Sequence, residues 1–443
     1  MGRIDGEIQA LLDRFHTPGA VVEAIEGDRV TYARAFGMRD AARGLRADLE
    51  TQFEIGSITK QVTAAAILQL EDAGRLHIDS TLATYLPQAP HAREITLRQL
   101  LAHTSGLPDY FTSCADVAKL DSFDALIGSV ADKPLEFAPG SRWRYSNTGY
   151  ILLGRVIEVV SGESYNHYVR THLLDRAGMS HTFTLADESR LPGMSIGYDS
   201  ARVVPAPAPK ISEAVGWSAG DLVSTVGDVQ RWNAALADGH VVSPRAYQLM
   251  STSAITADGK PTNYGFGMFV DSLEGQPRIG HTGHSCGFAA EDEFLPRQQA
   301  RIIVLTNSVD GPAESIVTVL MNGLFPDAAT AAMQPAAGED VTMTSRIKSF
   351  AMPLLEGRVI RSELTDAASA ELSEPAAVEA FTRYGKPSRF VFKGKIDRNF
   401  GPVYIYWLKF GDDIERLLLQ FERASDKINT VQLSPPSQFG AKR

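Results

Sequence analysis

Three short groups of polar residues have types and spacings that could carry out nucleophilic catalysis. Ser57 and Lys60 stand three residues apart in GSITK, Tyr145 and Asn147 stand two apart in RYSNTG, and His281 begins the run HTGH. Each pattern is common by itself, but all three in this order are expected in about one chain in a hundred of this composition. A serine activated by a neighbouring base can attack a carbonyl group and form an acyl-enzyme. The sequence therefore predicts that Ser57 is a nucleophile.

The spacing of Ser57 and Lys60 predicts that one helix holds them together. Residues i and i+3 share a helix face, so the Lys60 amine lies one turn beyond the Ser57 hydroxyl. The run VTAAAILQL is apolar on nearly every side, which predicts a buried helix from Ser57 to Leu76. Burial lowers the pKa of an ammonium group toward that of a usable base. The alternative, a serine cap beside a solvated lysine, fits this apolar run poorly.

Three other serines match catalytic motifs without the required context. Ser218 in GWSAG and Ser285 in GHSCG fit the nucleophile elbow G-x-S-x-G, which needs a strand before the serine and a helix after it. No strand pattern precedes Ser218, and no helical pattern begins until about Val226. Ser285 lies between two strand-like runs, which indicates a hairpin and excludes an α/β-hydrolase site. Ser345 begins a second S-x-x-K pattern with no Tyr-x-Asn after it, and we interpret it as a helix-surface residue.

The segments around these motifs resemble a known family. GSITK, LRQLLAHTSGLPDY, FAPGSRWRYSNTGYILLG and GHTG are similar to the serine hydrolase family of class C β-lactamases, which includes DD-peptidases, D-aminopeptidases and related esterases. The similarity covers residues 5–325. It implies a mixed α/β domain beside an all-helical domain, with the active site in the cleft between them.

The resemblance also implies a role for each motif residue. Ser57 would form the acyl-enzyme, and Lys60 and Tyr145 would share the proton transfer, with the choice of base open. Asn147 would hold the substrate amide and orient Lys60. The backbone N–H groups of Ser57 and His284 would form the oxyanion hole, which is worth about 3 kcal/mol per donor. The substrate and oxyanion residues expected on this basis are Asn147, His281, Thr282, Gly283 and His284.

His281 stands where most β-lactamases of this family have lysine. An imidazole is mostly neutral at pH 7, so the cleft would lose a permanent positive charge and hold a substrate carboxylate less firmly. The His-Thr-Gly run resembles the DD-peptidase and D-aminopeptidase branches. A DD-carboxypeptidase would also need an arginine on the preceding strand, but GFGMFVDSL contains none. Arg278 is close in sequence and is expected to point away, which argues against strict carboxypeptidase activity.

Several further residues allow two interpretations. Tyr110, Trp217 and Phe288 could line the acyl pocket or pack in the core. His103 is expected to fix a loop rather than to transfer protons, and Cys286 is expected to be a buried, inert thiol. Because His281 and His284 have no accompanying set of ligands, we expect no metal site and no cofactor.

Composition narrows the function class. The chain has 443 residues and a net charge of −10, without a continuous basic cluster, so nucleic-acid binding is not expected. With two cysteines, Cys114 and Cys286, a disulfide framework is excluded, and the sequence does not decide whether they pair. No apolar run of about 18 residues predicts a membrane span. The first residues predict an amphipathic helix and no signal peptide, so the compartment stays open, as does homo-oligomer formation.

The order of patterns predicts an α/β fold of the α+β type. An early hairpin between Ala20 and Gly37, a helical middle and a late run of strands indicate one antiparallel sheet, flanked by helices and closed by both ends of the domain. We predict a hydrolase domain at 1–325, a linker at 326–340 and a small α+β domain at 341–443. The last domain weakly resembles the cone-shaped nuclear-transport-factor-like domains. Its aromatic residues Tyr404, Tyr406 and Trp407 are expected to form core.

These observations predict a serine acyl hydrolase that cleaves small amides, D-amino-acid peptides or esters. The expected partner is a small-molecule or peptide substrate. One alternative is β-lactamase or DD-peptidase activity proper. The other is a non-catalytic protein that senses a ligand or muropeptide, against which the complete set of catalytic residues argues.

Overall fold

The computed structural model describes residues 2–186, 193–199, 206–273, 276–325, 333–336, 338–398, 401–411 and 413–434. The chain forms two compact units, residues 1–273 with 277–324 and residues 274–276 with 325–443. Residues 326–332 and 337 of the predicted linker lie outside the described residues. Among the helices that the structure describes, none combines the length and apolar character needed to cross a membrane.

The first unit alternates strands and helices along the chain. Its helices are α1 Gly2–Arg14, α2 Thr59–Asp72, α3 Leu97–Leu101, α4 Cys114–Val117, α5 Phe123–Gly128, α6 Asn147–Ser161, α7 Tyr165–Val169, α8 Glu213–Gly220, α9 Val226–Ala237, α10 Pro244–Met250 and α11 Ala313–Leu324. Its strands are β1 Gly19–Glu26, β2 Arg29–Asp40, β3 Leu45–Arg46, β4 Phe53–Glu54, β5 Phe183–Thr184, β6 Tyr198–Asp199, β7 Ala206–Pro207, β8 Leu222–Ser224, β9 Phe269–Leu273, β10 Gln276–Ser285, β11 Phe288–Leu295 and β12 Ala300–Thr306.

Both ends of this unit build its main sheet. The strand order is β3-β2-β1-β12-β11-β10-β9. Ala20 of β1 lies opposite Phe36 of β2 and Thr306 of β12 in antiparallel registers. The sequence GAVVEAIE of β1 is almost wholly buried, because a central strand covered on both faces must be apolar on both. The expected α+β fold, with an antiparallel sheet closed by both ends and flanked by helices, is confirmed.

Helix α2 forms the floor of the later site. Its residues are helix formers such as Ala64, Ala65 and Leu68, and eleven of its fourteen residues are buried, including Lys60. The helix is shorter than the predicted span from Ser57 to Leu76, since residues 56–58 form a 3₁₀ turn and Ala73 is the C-cap. A 3₁₀ turn tightens the chain at the point where it enters the helix.

The middle of the unit is mostly helical with long loops, as expected, and α6 is its central element. Helix α6 buries Tyr150, Ile151 and Leu152, packs against α2, α3 and α8, and ends at Gly162 with φ 78°. Helix α8 was not anticipated. Ser212 caps it by accepting a hydrogen bond from the amide of Ala214, and Trp217 breaks it with φ 30° and ψ −127°.

The described residues of the second unit form three α-helices and one antiparallel sheet. The helices are α12 Val341–Leu355, α13 Asp366–Glu371 and α14 Pro375–Thr382, and the strands, in sheet order, are β13 Arg389–Arg398, β14 Gly401–Phe410, β15 Asp413–Phe421 and β16 Ile428–Ser434. Tyr404 and Tyr406 are buried with Phe350 in one apolar cluster, and Trp407 packs with Met333 and Val391 in another. The alternation of PVYIYWLKF therefore serves core packing on both faces of β14.

Candidate active site

Ser57 and Lys60 meet at the start of α2. The Lys60 ammonium nitrogen lies 3.0 Å from the Ser57 hydroxyl oxygen, which is hydrogen-bonding distance. Ser57 lies in the 3₁₀ turn of residues 56–58, and Lys60 is the second residue of the helix. The predicted pair is therefore brought together by local helical geometry alone.

Lys60 is fully buried and donates two further hydrogen bonds, to Asn147 Oδ1 at 2.8 Å and to the carbonyl of Ala219 at 2.7 Å. None of its three acceptors is a carboxylate. Burial lowers the pKa of Lys60 to about 7, and the more distant charge of Asp109 opposes this shift. The amine is therefore neutral in about half of the molecules near pH 7, which suits a general base.

Tyr145 lies on the other side of the amine. The Lys60 nitrogen stands 4.9 Å from the centre of the Tyr145 ring, and that ring stacks on Phe269 and tilts against His103. Burial raises the pKa of the Tyr145 phenol well above its usual value, although the adjacent Ser57 hydroxyl opposes the shift. Its buried oxygen has no hydrogen-bond partner of ordinary geometry among the described residues. Tyr145 is thus a protonated phenol next to the serine.

Asp109, which the sequence analysis did not select, positions Asn147. One oxygen of Asp109 accepts the Asn147 backbone N–H at 3.0 Å, and the other accepts the Asn147 side-chain amide, also at 3.0 Å. The second bond fixes the amide so that its oxygen faces Lys60. The sequence contained one signal, because the first turn of α6 has no acidic residue; in the structure Ser146 also makes no capping bond. A carboxylate from the TSGLPDY loop takes that place.

His281 is buried on β10 and is neutral. Its Nδ1–H donates to the Thr282 carbonyl at 2.6 Å, so its Nε2 accepts from the hydroxyl of Tyr264 at 2.9 Å. Burial and, next, the charge of Lys60 lower the pKa of His281 to about 3. The imidazole therefore carries no charge at physiological pH, as the sequence indicated.

The rest of the His-Thr-Gly-His run lies against the backbone that leads to Ser57. A Cβ on Gly283 would stand 2.1 Å from the Ile55 carbonyl oxygen, and one on Gly56 would stand 2.7 Å from the His284 amide nitrogen. Thr282 is half-buried and the His284 side chain is exposed. The close approach of Gly56 and His284 puts the amides of residues 57 and 284 on neighbouring pieces of backbone, which is what a two-donor oxyanion hole needs.

Arg278 points away from a substrate carboxylate, as expected. Its guanidinium binds Asp271 at 2.6 Å and Glu293 at 3.0 Å and is nearly buried. Both partners hold it on the face of the sheet opposite Asp292, whose carboxylate binds Gln61 of α2. Arg278 is thus a structural ion-pair residue.

Both G-x-S-x-G segments contact the site, but not through their serines. In the first, the Ser218 hydroxyl donates to the Tyr150 carbonyl and is buried, while Ala219 supplies an acceptor to Lys60. The segment lies in helix α8, so the expectation of no helix before Val226 was wrong. In the second, Ser285 ends β10 at the predicted hairpin turn. Ser345 is exposed on α12, as interpreted, and bonds the carbonyl of Val341.

The remaining candidates divide between core and cavity. Tyr110 is buried and donates to the carbonyl of Val215, and Phe288 packs edge-on against Phe53, so both belong to the core. Trp217 is half-buried and lines a cavity of about 460 Å³ whose lining does not include Ser57. His103 accepts the Ser146 amide at Nδ1, which fixes the loop before α6.

The expectation of a free Cys286 thiol was wrong. Cys286, in the turn after β10, forms a disulfide with Cys114 at the start of α4. The bond spans 172 residues of sequence and ties the loop that follows Asp109 to the end of the strand that carries His284. Among the described residues, no three His, Cys, Asp or Glu side chains come together as a metal site.

Comparison with known proteins agrees with this fold. The family described as Beta-lactamase matches residues 4–324. Penicillin-binding protein 4 of Amycolatopsis lactamdurans is 29% identical over 341 residues, covering 72% of this chain and 88% of that protein. A D-stereospecific amidohydrolase from Streptomyces sp. is 26% identical with a TM-score of 0.62, covering 72% of this chain and 98% of the other. The octameric penicillin-binding protein homologue from Pyrococcus abyssi, 22% identical, shares the fold over 98% of both chains with a TM-score of 0.64.

Proposed function

The chain belongs to the beta-lactamase family of serine hydrolases, and from this premise we propose that it cleaves small amides or esters, including D-amino-acid amides and peptides, through an acyl-enzyme on Ser57. The observation that carries the proposal is the 3.0 Å contact between the Ser57 hydroxyl and a buried Lys60 whose pKa is about 7. A lysine held at this pKa is partly neutral at physiological pH and can accept a proton from the hydroxyl.

Lys60 acts as the base in the proposed acylation. As Ser57 Oγ forms a bond to the substrate carbonyl carbon, its proton moves to the Lys60 nitrogen, and the carbonyl oxygen becomes an oxyanion. The backbone N–H groups of Ser57 and His284 stabilise that oxyanion. The bond to the leaving group then breaks, the leaving group takes the phenol proton of Tyr145, and the proton on Lys60 replaces it, so that both side chains return to their starting forms. Water hydrolyses the acyl ester by the same steps in reverse order.

The charges around the site favour substrates that have no terminal carboxylate to be bound. His281 is neutral, and Arg278 is engaged by Asp271 and Glu293. These two residues therefore offer no free cation to a terminal carboxylate, which a DD-carboxypeptidase would need to bind. The D-stereospecific amidohydrolase from Streptomyces sp. supports amides as a substrate class. We infer D-aminoacyl amides and short acyl esters as preferred substrates, with slow turnover of β-lactams.

Labelling and turnover of Ser57→Ala test the proposal. We expect a serine-directed phosphonate probe to modify the wild-type protein at Ser57 alone, as read by peptide mass spectrometry. Turnover of D-aminoacyl p-nitroanilides and p-nitrophenyl esters should fall by about 10⁴-fold or more in Ser57→Ala, because the nucleophile is lost. The matched controls are Ser218→Ala and Ser285→Ala, which should keep most of the activity. An adduct at Ser218 or Ser285, or ester turnover that survives Ser57→Ala, would refute the mechanism.

A further inference from the structure

A second concave site lies among α5, α6, α7 and α8. The cavity has a volume of about 460 Å³, and its lining includes Trp217 and Asp221 but none of Ser57, Lys60 and Tyr145. This volume is in the range of small-molecule sites. The proposed hydrolase mechanism uses no residue of this lining.

The lining of the cavity contains a buried carboxyl oxygen that has no hydrogen-bond partner among the described residues. Asp221 is 1% exposed, and its Oδ1 has no hydrogen-bond partner among the described residues. The side-chain oxygen of Asn166, also in the lining, is buried and unpartnered in the same way. Leaving a buried carboxyl oxygen without a hydrogen-bond donor destabilises the folded protein. Two such oxygens in one cavity indicate that a hydrogen-bond donor belongs there.

The rim carries negative charge. Asp121, Asp124 and Glu213 line the cavity and are exposed at its edge. Among the described residues of the lining, the one basic side chain, Arg155, is engaged with Glu158 at 2.6 Å. Burial and, next, the charge of Glu213 raise the pKa of Asp221 well above its usual value. A cation in the cavity would therefore be attracted by the rim and would stabilise the ionised form of Asp221.

The shape of the site favours an organic cation over a metal ion. The carboxylates lie around a wide cavity, and no three acidic, histidine or cysteine side chains in the described part of the chain converge as metal ligands. Trp217 contributes an indole to the wall, held edge-on against Tyr165 and Phe123. An ammonium or guanidinium group is attracted both to an indole face and to a carboxylate.

We propose that this cavity is a binding site for a small organic cation, an amine or guanidine, whose charged group pairs with Asp221 and packs against Trp217. The site is separate from the catalytic serine and independent of the proposed hydrolase activity. It is connected to that serine by backbone. The Asp221 amide donates to the Trp217 carbonyl, and the Ala219 carbonyl between them accepts from Lys60.

Binding of a matched pair of probes tests this proposal. Isothermal titration calorimetry would compare 2-phenylethylammonium with the uncharged 2-phenylethanol on the full chain. We expect the cation to bind the wild-type protein at least tenfold more tightly than the alcohol. In Asp221→Asn, which keeps the shape of the side chain, the affinity for the cation should fall at least tenfold, whereas that for the alcohol should not change. Asp132→Asn, which removes an exposed charge outside the lining, is the matched control.

Two further variants separate this site from the catalytic one. Ser57→Ala should bind the cation as tightly as the wild-type protein, because Ser57 is not in the lining. Glu213→Gln changes an exposed residue at the rim and should weaken cation binding about threefold. If Asp221→Asn does not fold, this variant still tests whether the cation binds in the cavity. Equal cation binding by wild type, Asp221→Asn and Glu213→Gln would overturn the proposal. So would loss of binding after Ser57 is acylated, since the cation would then occupy the catalytic cleft.

Discussion

In the proposed mechanism, the reactivity of Ser57 depends on one side chain, Lys60, whose charge is controlled by its burial. Burial lowers the Lys60 pKa to about 7, whereas burial raises the pKa of Tyr145 well above 10. Two neighbouring groups with pKa values moved in opposite directions are suited to act as base and acid in one reaction. The geometry therefore supports Lys60, rather than Tyr145, as the base for acylation.

This assignment predicts the pH dependence of turnover. Below pH 7 Lys60 is protonated and cannot accept the serine proton, and above pH 7 it is neutral. Since kcat/KM should follow the neutral fraction, we expect it to rise between pH 6 and 8 with a midpoint near 7, and Tyr145 should add no falling limb below pH 10. A pH–rate profile on an uncharged ester checks this. Activity that falls as the pH rises from 6 to 8 would contradict the assignment.

Asp109→Asn should move that profile in a defined direction. The charge of Asp109 raises the Lys60 pKa, so its removal should shift the rising limb to lower pH. The substitution also replaces an acceptor of the Asn147 side-chain amide by a group that can present a donor, and kcat should fall by about 10- to 100-fold. Asp116→Asn, which changes an exposed aspartate in the nearby helix α4, is the control. If kcat falls but the rising limb of the pH–rate profile does not shift, Asp109 has only a structural role.

At the scale of elements, the site depends on the close approach of two pieces of backbone. The turn before α2 reaches β10 because Gly56, with φ 50°, and Gly283 have no side chains. Strand β10 is held in turn by β11, whose Ala289 lies opposite His284. The turn that carries Ser57 and the strand that carries His284 are thus positioned by packing that only glycine permits.

Gly56→Ala should separate the oxyanion donors. A Cβ at this position would lie 2.6–2.8 Å from the His284 backbone atoms, so strand or turn must move. We expect kcat to fall by about 10²–10³-fold, the effect of losing one oxyanion donor. The matched control is Gly74→Ala, which has a similar φ of 67° but open space around the added carbon. It should cost about 1–2 kcal/mol of stability and leave kcat unchanged. Equal kcat values for the two variants would argue against the His284 amide as a donor.

At the scale of the whole molecule, a disulfide bond links the start of helix α4 to the end of strand β10. The Cys114–Cys286 disulfide joins residues 172 apart in sequence, and Tyr145, Asn147 and His281 lie between them. Such a cross-link reduces the conformational freedom of the unfolded chain, and native disulfides typically contribute about 2–5 kcal/mol. The bond therefore stabilises the unit that contains both the serine and the oxyanion strand.

Removing this bond should destabilise the first unit without removing catalytic groups. We expect the double substitution Cys114→Ser with Cys286→Ser to lower the free energy of unfolding by about 2–5 kcal/mol, measured by urea titration under oxidising conditions. Dithiothreitol should lower the stability of the wild-type protein by a similar amount and leave the double variant unaffected. An identical urea midpoint for oxidised wild type and the variant would show that the cross-link contributes nothing.

The sequence by itself determined what depends on neighbours along the chain. The adjacency of Ser57 and Lys60 follows from helical spacing, and the buried helix follows from the apolar run beside them. Strands β1, β2 and β10 to β16 were predictable because their apolar runs are bounded by turn residues. His281 was predicted to be neutral because an ordinary imidazole is already mostly unprotonated at pH 7, and its burial in the structure lowers the pKa further.

Only the tertiary structure decided what depends on residues far apart in sequence. The pairing of Asp109 with Asn147, of Ala219 with Lys60 and of Cys114 with Cys286 spans 38, 159 and 172 residues. No local pattern encodes such contacts, because many partners have suitable chemistry and the fold selects one. For the same reason, the sequence could not tell that Trp217 lines a cavity whereas Tyr110 and Phe288 pack in the core. Burial of an aromatic ring is set by whichever elements happen to cover it.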